Sequence, residues 1–184
     1  LFLVYLKVIE ITSYPLKMKQ LKSIYTLATL MLISTITWSQ EENVTITIDT
    51  LTSEVYMLTG QGGNIGLYVN ATNTFMIDDQ FARLSPKIKQ AIATLTSKPI
   101  TYLFNTHMHG DHTGGNAEFN TYTTNLIAQD NVRKSLEQRI IEEPELSKDI
   151  LPEISFSEEL KIYQDDETIM AFHVHNAHTN GDAM

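Results

Sequence analysis

"THMHGDHTGGN", residues 106–116, places three of the chain's six histidines beside an aspartate within seven positions. The residues leading into it, "ITYLFNT" (100–106), are apolar, aromatic and β-branched, which predicts a buried strand running straight into the histidines. In an extended segment, side chains two apart point to the same side. His107 and His109 can therefore offer imidazole nitrogens to one cation. Gly110 lets the chain turn, so that Asp111 and His112 can face a second position, and Gly114 and Gly115 leave the next turn open to close backbone approach. Imidazole with carboxylate suits zinc, or another borderline divalent ion, better than calcium or magnesium.

Catalytic zinc keeps three protein ligands and one open position. Two histidines supply only part of that set, so a third must come from elsewhere. The other three, His173, His175 and His178, lie around the turn signal "NAHTNGD" (176–182). His178 is the expected third ligand. His173 and His175 are read as strand residues on one face, outside the ligand set. All the histidines thus sit in two short clusters at predicted strand ends, where sites are commonly built.

Working outward, "VTITIDTL" (44–51) alternates with a period of two, and "EVYMLTG" (54–60) is a second candidate strand. "GGNIGLYVNATNTFMIDDQF" (62–81) reads as two strands around a polar turn at Asn70–Asn73. Ser85–Pro86 predicts a helix start, with serine as cap, followed by Ile88, Ala91, Ile92 and Leu95 at helical spacing. "NLIAQ" (125–129) predicts a short strand, and Asp130 a cap for a helix to about Ile141 with Val132, Leu136 and Ile140 on one face. Residues 142–159 hold two prolines and seven acidic residues and read as an irregular or partly helical connection, solvated at the surface. Residues 160–178 predict a hairpin turning near Asp165–Asp166. The uneven mixture of strands and helices points to mixed α/β with substantial antiparallel pairing.

Charge narrows the partners. The 184-residue chain has 13 basic and 22 acidic residues. Residues 1–40 contain Lys7, Lys17, Lys19 and Lys22 against Glu10, which leaves 9 basic and 21 acidic residues, a net −12, for the remainder. A surface that acidic argues against nucleic acid or an anionic membrane as partner. With no cysteine, thiolate metal sites and disulfides are excluded.

Residues 18–39 read as a secretory signal peptide. Lys19 and Lys22 form a positive start, Ile24 to Ile36 is a mostly apolar run of thirteen, and Thr37 and Ser39 are the small residues before a cleavage ahead of Gln40. Thirteen residues fall short of the ~20 that span a bilayer. The expectation is an exported protein, periplasmic or secreted, with no stable membrane anchor after cleavage. Residues 1–17 are expected to be an upstream extension.

The segment order completes a pattern. "THMHGDHTGGN" resembles the H-x-H-x-D-H signature of the metallo-β-lactamase superfamily, and "NAHTNGD" resembles its next histidine motif. "GGNIGLYV", "TFMIDDQF", a helix and "ITYLFNTH" follow the order that leads to that signature, so the resemblance covers about residues 44–184. It implies an αββα sandwich of two mixed sheets flanked by helices. It also implies that His107, His109 and His178 bind a first metal, and that Asp111 and His112 bind a second. Asp78, in "MIDDQ", would support the site from behind, and Asp182 is read as a turn or supporting residue.

The family pattern runs on to a bridging aspartate and a final histidine. Residues 40–184 are therefore expected to be the N-terminal part of such a domain. The implied function is a zinc-dependent hydrolase of small molecules, with two ions in the complete domain. A metal-activated hydroxide would attack an ester, lactone, thioester or amide carbonyl, β-lactams included, and Asp111 would orient the nucleophile. The alternatives are an iron-binding oxidoreductase on the same ligands and an inactive metal-binding fragment. Oligomeric state stays open.

Overall fold

A computed structural model describes residues 44–164 and 167–184. The residues expected to form an upstream extension (1–17), a signal peptide (18–39) and the hairpin turn (165–166) lie outside the described residues. No helix among the described residues is long and apolar enough to cross a membrane.

Seven strands form one mixed sheet in chain order. Strands β1 (Thr47–Thr50), β2 (Val55–Thr59), β3 (Ile65–Val69) and β4 (Thr74–Ile77) pair antiparallel. From β4 onward the pairing is parallel, through β5 (Tyr102–Asn105), β6 (Asn125–Gln129) and β7 (Ile154–Phe156). Parallel pairing needs a crossover. Helix α1 (Ser85–Ala93) lies between β4 and β5, and α2 (Gly110–Thr113) and α3 (Asn116–Phe119) lie between β5 and β6. Helix α4 (Asp130–Glu142) lies between β6 and β7. A separate antiparallel pair, β8 (Glu159–Gln164) and β9 (Glu167–Phe172), follows.

Adjacent residues of β6 show the layering, because successive side chains on a strand face opposite ways. Ala128 packs with Val132 and Leu136 of α4 and with Ile150, whereas Ile127 packs with Phe156 and Ala183 and is flanked by Leu160, Ile162 and Ala171 of the β8–β9 pair. Helix α4 thus covers one face of the large sheet and the hairpin covers the other, which is the mixed α/β architecture expected. Leu58, Ile65, Met76, Ile88, Leu103 and Leu126 are fully buried in its core. Burying each such side chain is worth about 1.5–3 kcal/mol.

Three local expectations are corrected. Ser85 does not cap α1. A 3-10 turn at Ala82–Leu84 runs directly into the helix, so the cap position falls on Leu84 and Ser85 is its first residue. Asp130 does not cap α4 either. The Gln129 side chain accepts the Asn131 N–H, and Asp130 sits in the first turn, where a negative charge favours the helix dipole. Residues 142–159 are not simply a solvated connection. Ile150 and Phe156 are buried, a 3-10 turn spans Lys148–Ile150, and the alternation around exposed Ser155 makes β7.

Candidate metal centre

The parallel strands end where the histidines begin. Strand β5 stops at Asn105, so His107 and Met108 occupy bends rather than an extended strand. The same-side geometry of a strand therefore does not apply, yet the two imidazoles still converge, with ring centroids 4.9 Å apart. His109 precedes α2 in an extended conformation (φ −69°, ψ 148°). His178 arrives from the turn after β9, with its ring 4.8 Å from His109 and 5.1 Å from His107.

The three residues offer ligand atoms that all lie within 4.8 Å of one another. His178 Nε2 is 3.0 Å from His109 Nδ1. His107 Nδ1 faces the Thr106 hydroxyl at 3.1 Å, which leaves Nε2 as the nitrogen open to a ligand. Tetrahedral zinc with Zn–N bonds of ~2.0–2.1 Å needs nitrogens about 3.3 Å apart. Donor type, number and spacing therefore fit such an ion. His107 is buried, His109 half-buried and His178 exposed, so the triad opens to solvent on one side.

Asp111 and His112 stand beside the triad, on α2. His112 Nε2 lies 3.6 Å from Asp111 Oδ2, and the His112 ring is 4.0 Å from that of His107. The other nitrogen of His112, Nδ1, is 2.7 Å from Asp78 Oδ2. The same Asp78 oxygen accepts the Thr106 hydroxyl at 2.7 Å, and Oδ1 accepts the Thr106 N–H at 2.7 Å. Asp78 reaches both because its backbone takes a left-handed turn (φ 60°) just beyond β4.

Electrostatics separates the two histidines. Desolvation lowers the His107 pKa, helped by the nearby charges of His112 and His109 and opposed by Asp78 and Asp182. His107 is thereby held in the neutral form that ligates metal. The hydrogen bond to Asp78 raises the His112 pKa, against desolvation, with Asp78 and Asp111 charge adding to it. Asp79, next to Asp78, is fully buried. Its Oδ1 accepts the Gly115 N–H at 2.7 Å, and its Oδ2 has no hydrogen-bond partner among the described residues. Burial pushes its pKa well above the usual carboxylate range, against the Gly115 hydrogen bond, and the Asp78 charge raises it further. The close approach expected at the glycines is present here, since a Cβ on Gly115 would lie 2.9 Å from the Asp79 carbonyl oxygen.

The second histidine cluster divides. Asp182 closes the His178 turn by accepting the backbone N–H of His178, the Thr179 N–H at 2.9 Å and the Thr179 hydroxyl. Its pKa is lowered. Partial burial works upward but loses to these hydrogen bonds and to the charge of His107. His173 and His175 pair with each other at 4.2 Å between centroids. His173 Nδ1 faces the Asp182 carbonyl at 2.8 Å, and His175 Nε2 is 3.0 Å from Glu158. The structure does not bring either to the triad.

Sequence reading passed over a buried amide pair behind the site. Asn105 and Asn116 exchange two hydrogen bonds, of 3.0 and 2.9 Å. Asn105 also donates to the His112 carbonyl at 3.3 Å, and Asn116 to the Ile150 carbonyl at 2.9 Å. Their only signal was two polar residues bordering the buried strand and the glycine turn.

A family model described as the metallo-beta-lactamase superfamily matches residues 58–182. No curated protein matches the chain. Among solved structures, BJP-1, a subclass B3 metallo-beta-lactamase of Bradyrhizobium japonicum, is similar at 24% identity and a TM-score of 0.61, over 74% of this chain and 54% of that one. The metallo-beta-lactamase GOB-18 from Elizabethkingia meningoseptica is similar at 23% identity and a TM-score of 0.65, over 78% and 56%. The class B3 di-zinc metallo-beta-lactamase LRA-12, from an Alaskan soil metagenome, is similar at 18% identity and a TM-score of 0.62, over 76% and 56%. The chain thus spans a little over half the length of these structures.

Proposed function

The chain belongs to the metallo-beta-lactamase superfamily over residues 58–182, and from that premise we propose that it is the histidine-bearing, N-terminal portion of a zinc-dependent hydrolase domain. One observation carries the reading. His178 Nε2 comes to 3.0 Å from His109 Nδ1 across 69 residues of chain, beside a buried His107.

In this reading His107, His109 and His178 hold the first zinc, and Asp111 and His112 contribute to a second. Zinc bound there would supply Lewis acidity and would lower the pKa of a bound water to about 7. The chain's own groups orient the reactants. Asp78 fixes the His112 ring through Nδ1 and so turns Nε2 toward the second position. Asp111, 38% exposed, faces the same position and is the group we assign to orient the attacking water. Asp182 braces the turn that carries His178.

The substrates proposed are small esters, lactones, thioesters or amides, β-lactams among them. Export belongs to the same proposal and rests on the leader-like residues 18–39.

The test is metal content of the purified protein together with hydrolysis of a panel of β-lactams, lactones and thioesters, before and after chelation. The expected result is bound zinc, with turnover that falls on chelation and returns with added zinc. Turnover indifferent to chelation overturns the reading. Bound iron with redox activity replaces it by an oxidoreductase on the same ligands.

A further inference from the structure

His178 is the exposed member of the triad, and it stands on a turn rather than on a strand or helix. Within that turn, Asp182 accepts the His178 and Thr179 N–H groups. Just beyond it, the Ala183 N–H donates to the Thr106 carbonyl at 2.9 Å, which ties the arm to the residue before His107. A further tie comes from helix α4. Asn131 Nδ2 donates to the Asn180 carbonyl at 2.7 Å. Gly181 meets the same helix, since a Cβ there would lie 2.9 Å from Val132 Cγ2 and 2.9 Å from the Val132 nitrogen. Val132 packs with Ala128, Leu136 and Ile150 in the core, so the arm rests on an element that is itself fixed.

Away from that contact, helix and arm part. A cleft of about 640 Å³, open to solvent, is lined by Met108, Asn180 and Gly181 from the two histidine-bearing loops and by Ser135, Leu136 and Arg139 from α4. The Asn131 side chain, also on its lining, bridges from helix to arm. Its amide is oriented for the task. Oδ1 faces Lys134 Nζ at 3.4 Å, and Nδ2 is turned to Asn180. The residue's own N–H is taken by Gln129 Oε1, which fixes its backbone at the start of α4.

We propose that Asn131 is a positioning residue for the triad. It clamps the arm that carries His178 against α4 and so keeps the third imidazole beside His107 and His109 before an ion arrives. The inference rests on the three-histidine reading above. It goes beyond it by giving a residue that supplies no ligand control over how completely the site is assembled in advance. Apparent affinity falls with the fraction of time that a site is competent to bind. Asn180 is exposed, so water can take its carbonyl once the clamp is gone. The core then stays packed while the arm moves more freely.

The test is zinc titration of the full chain for the wild type, Asn131→Ala and Asn131→Asp, with hydrogen exchange of the metal-free protein and circular dichroism as the check on folding. An acidic residue suits the first turn of a helix, so Asn131→Asp keeps α4 while removing the donor. Its added negative charge favours a cation, so weaker binding in that variant cannot be electrostatic. Both variants are expected to bind zinc about 10-fold more weakly, at the low end for outer groups that orient ligands. That loss corresponds to an arm in place about a tenth as often. Amide exchange should quicken at residues 178–182 and stay as in the wild type at residues 107–112. If Asn131→Ala fails to fold, Asn131→Asp decides. Unchanged affinity in a folded variant overturns the inference and leaves the three-histidine reading standing. Weaker binding with equal loosening at residues 107–112, or with none at residues 178–182, also overturns it, because Asn131 would then act on the whole fold or by another route. A wild-type chain that binds no zinc overturns the three-histidine reading and the inference together.

Discussion

Asp78 Oδ2 sits 2.7 Å from His112 Nδ1, and through the same carboxylate Asp78 holds the hydroxyl and backbone N–H of Thr106. One buried group thus orients a candidate ligand and anchors the start of the loop that carries His107. Asp78→Ala is expected to lower zinc affinity by about 10–100-fold. The Thr106 N–H it strands should cost about 1–3 kcal/mol of stability. Zinc titration and urea unfolding measure the two effects separately, and unchanged affinity would mean that His112 is oriented by something else.

The two histidine clusters predict a sharp contrast. His178→Ala removes a member of the triad, and its loss of zinc affinity should exceed the about 10–100-fold of an orienting residue. His173→Ala, whose ring faces a backbone carbonyl and His175, should leave zinc affinity essentially unchanged. Isothermal titration of both variants is the check. Equal losses would show that the ligand assignment in this cluster is wrong.

Asp79 gives stability a pH dependence. Its folded-state pKa is raised, so below the unfolded-state value, near 3.8, both states are protonated and the group contributes nothing. As pH rises past that value the unfolded chain ionises first, and stability falls until the folded carboxyl ionises as well. Asp79→Asn keeps an acceptor for the Gly115 N–H and removes the titration. In metal-free protein, chemical denaturation at several pH values should find the variant more stable than wild type near neutrality, with the difference shrinking toward pH 4. A constant difference would disprove the assignment.

The Asn105–Asn116 pair should behave as a coupled unit. Alanine at either position strands a buried amide, at about 1–3 kcal/mol. The double variant removes both partners and should cost less than the sum, by about 0.5–3 kcal/mol in a double-mutant cycle. Strict additivity would mean that each amide is satisfied through its other bonds, to His112 and Ile150.

Much of the sheet was legible because each strand carried its own pattern. "NLIAQ" and "TFMI" needed no partner to be read. Strand β7 was masked because Pro152, Glu153 and the six other acidic residues of 142–159 outweighed a three-residue alternation. The helix starts were misplaced by one residue because a preceding 3-10 turn, or the reach of the Gln129 side chain, decides where a cap falls. At the site, the histidines announced themselves by density and by motif. Of their supports, Asp78 and Asp182 were expected, but Gln80 and the Asn105–Asn116 pair were not. Gln80 reaches the carbonyl of Gly63, beside His112, from a left-handed backbone, a conformation that glutamine does not signal, and the Asn105–Asn116 pair joins residues eleven positions apart with no pattern of their own.

The separation of 69 positions from His109 to His178 gives ion capture a mechanical meaning. An ion gripped from both ends acts as a reversible cross-link, and closing a loop of that length strips conformational freedom from the unfolded ensemble. Releasing the ion and opening the chain then become one linked equilibrium, so thermal unfolding is expected to climb steadily with free zinc concentration.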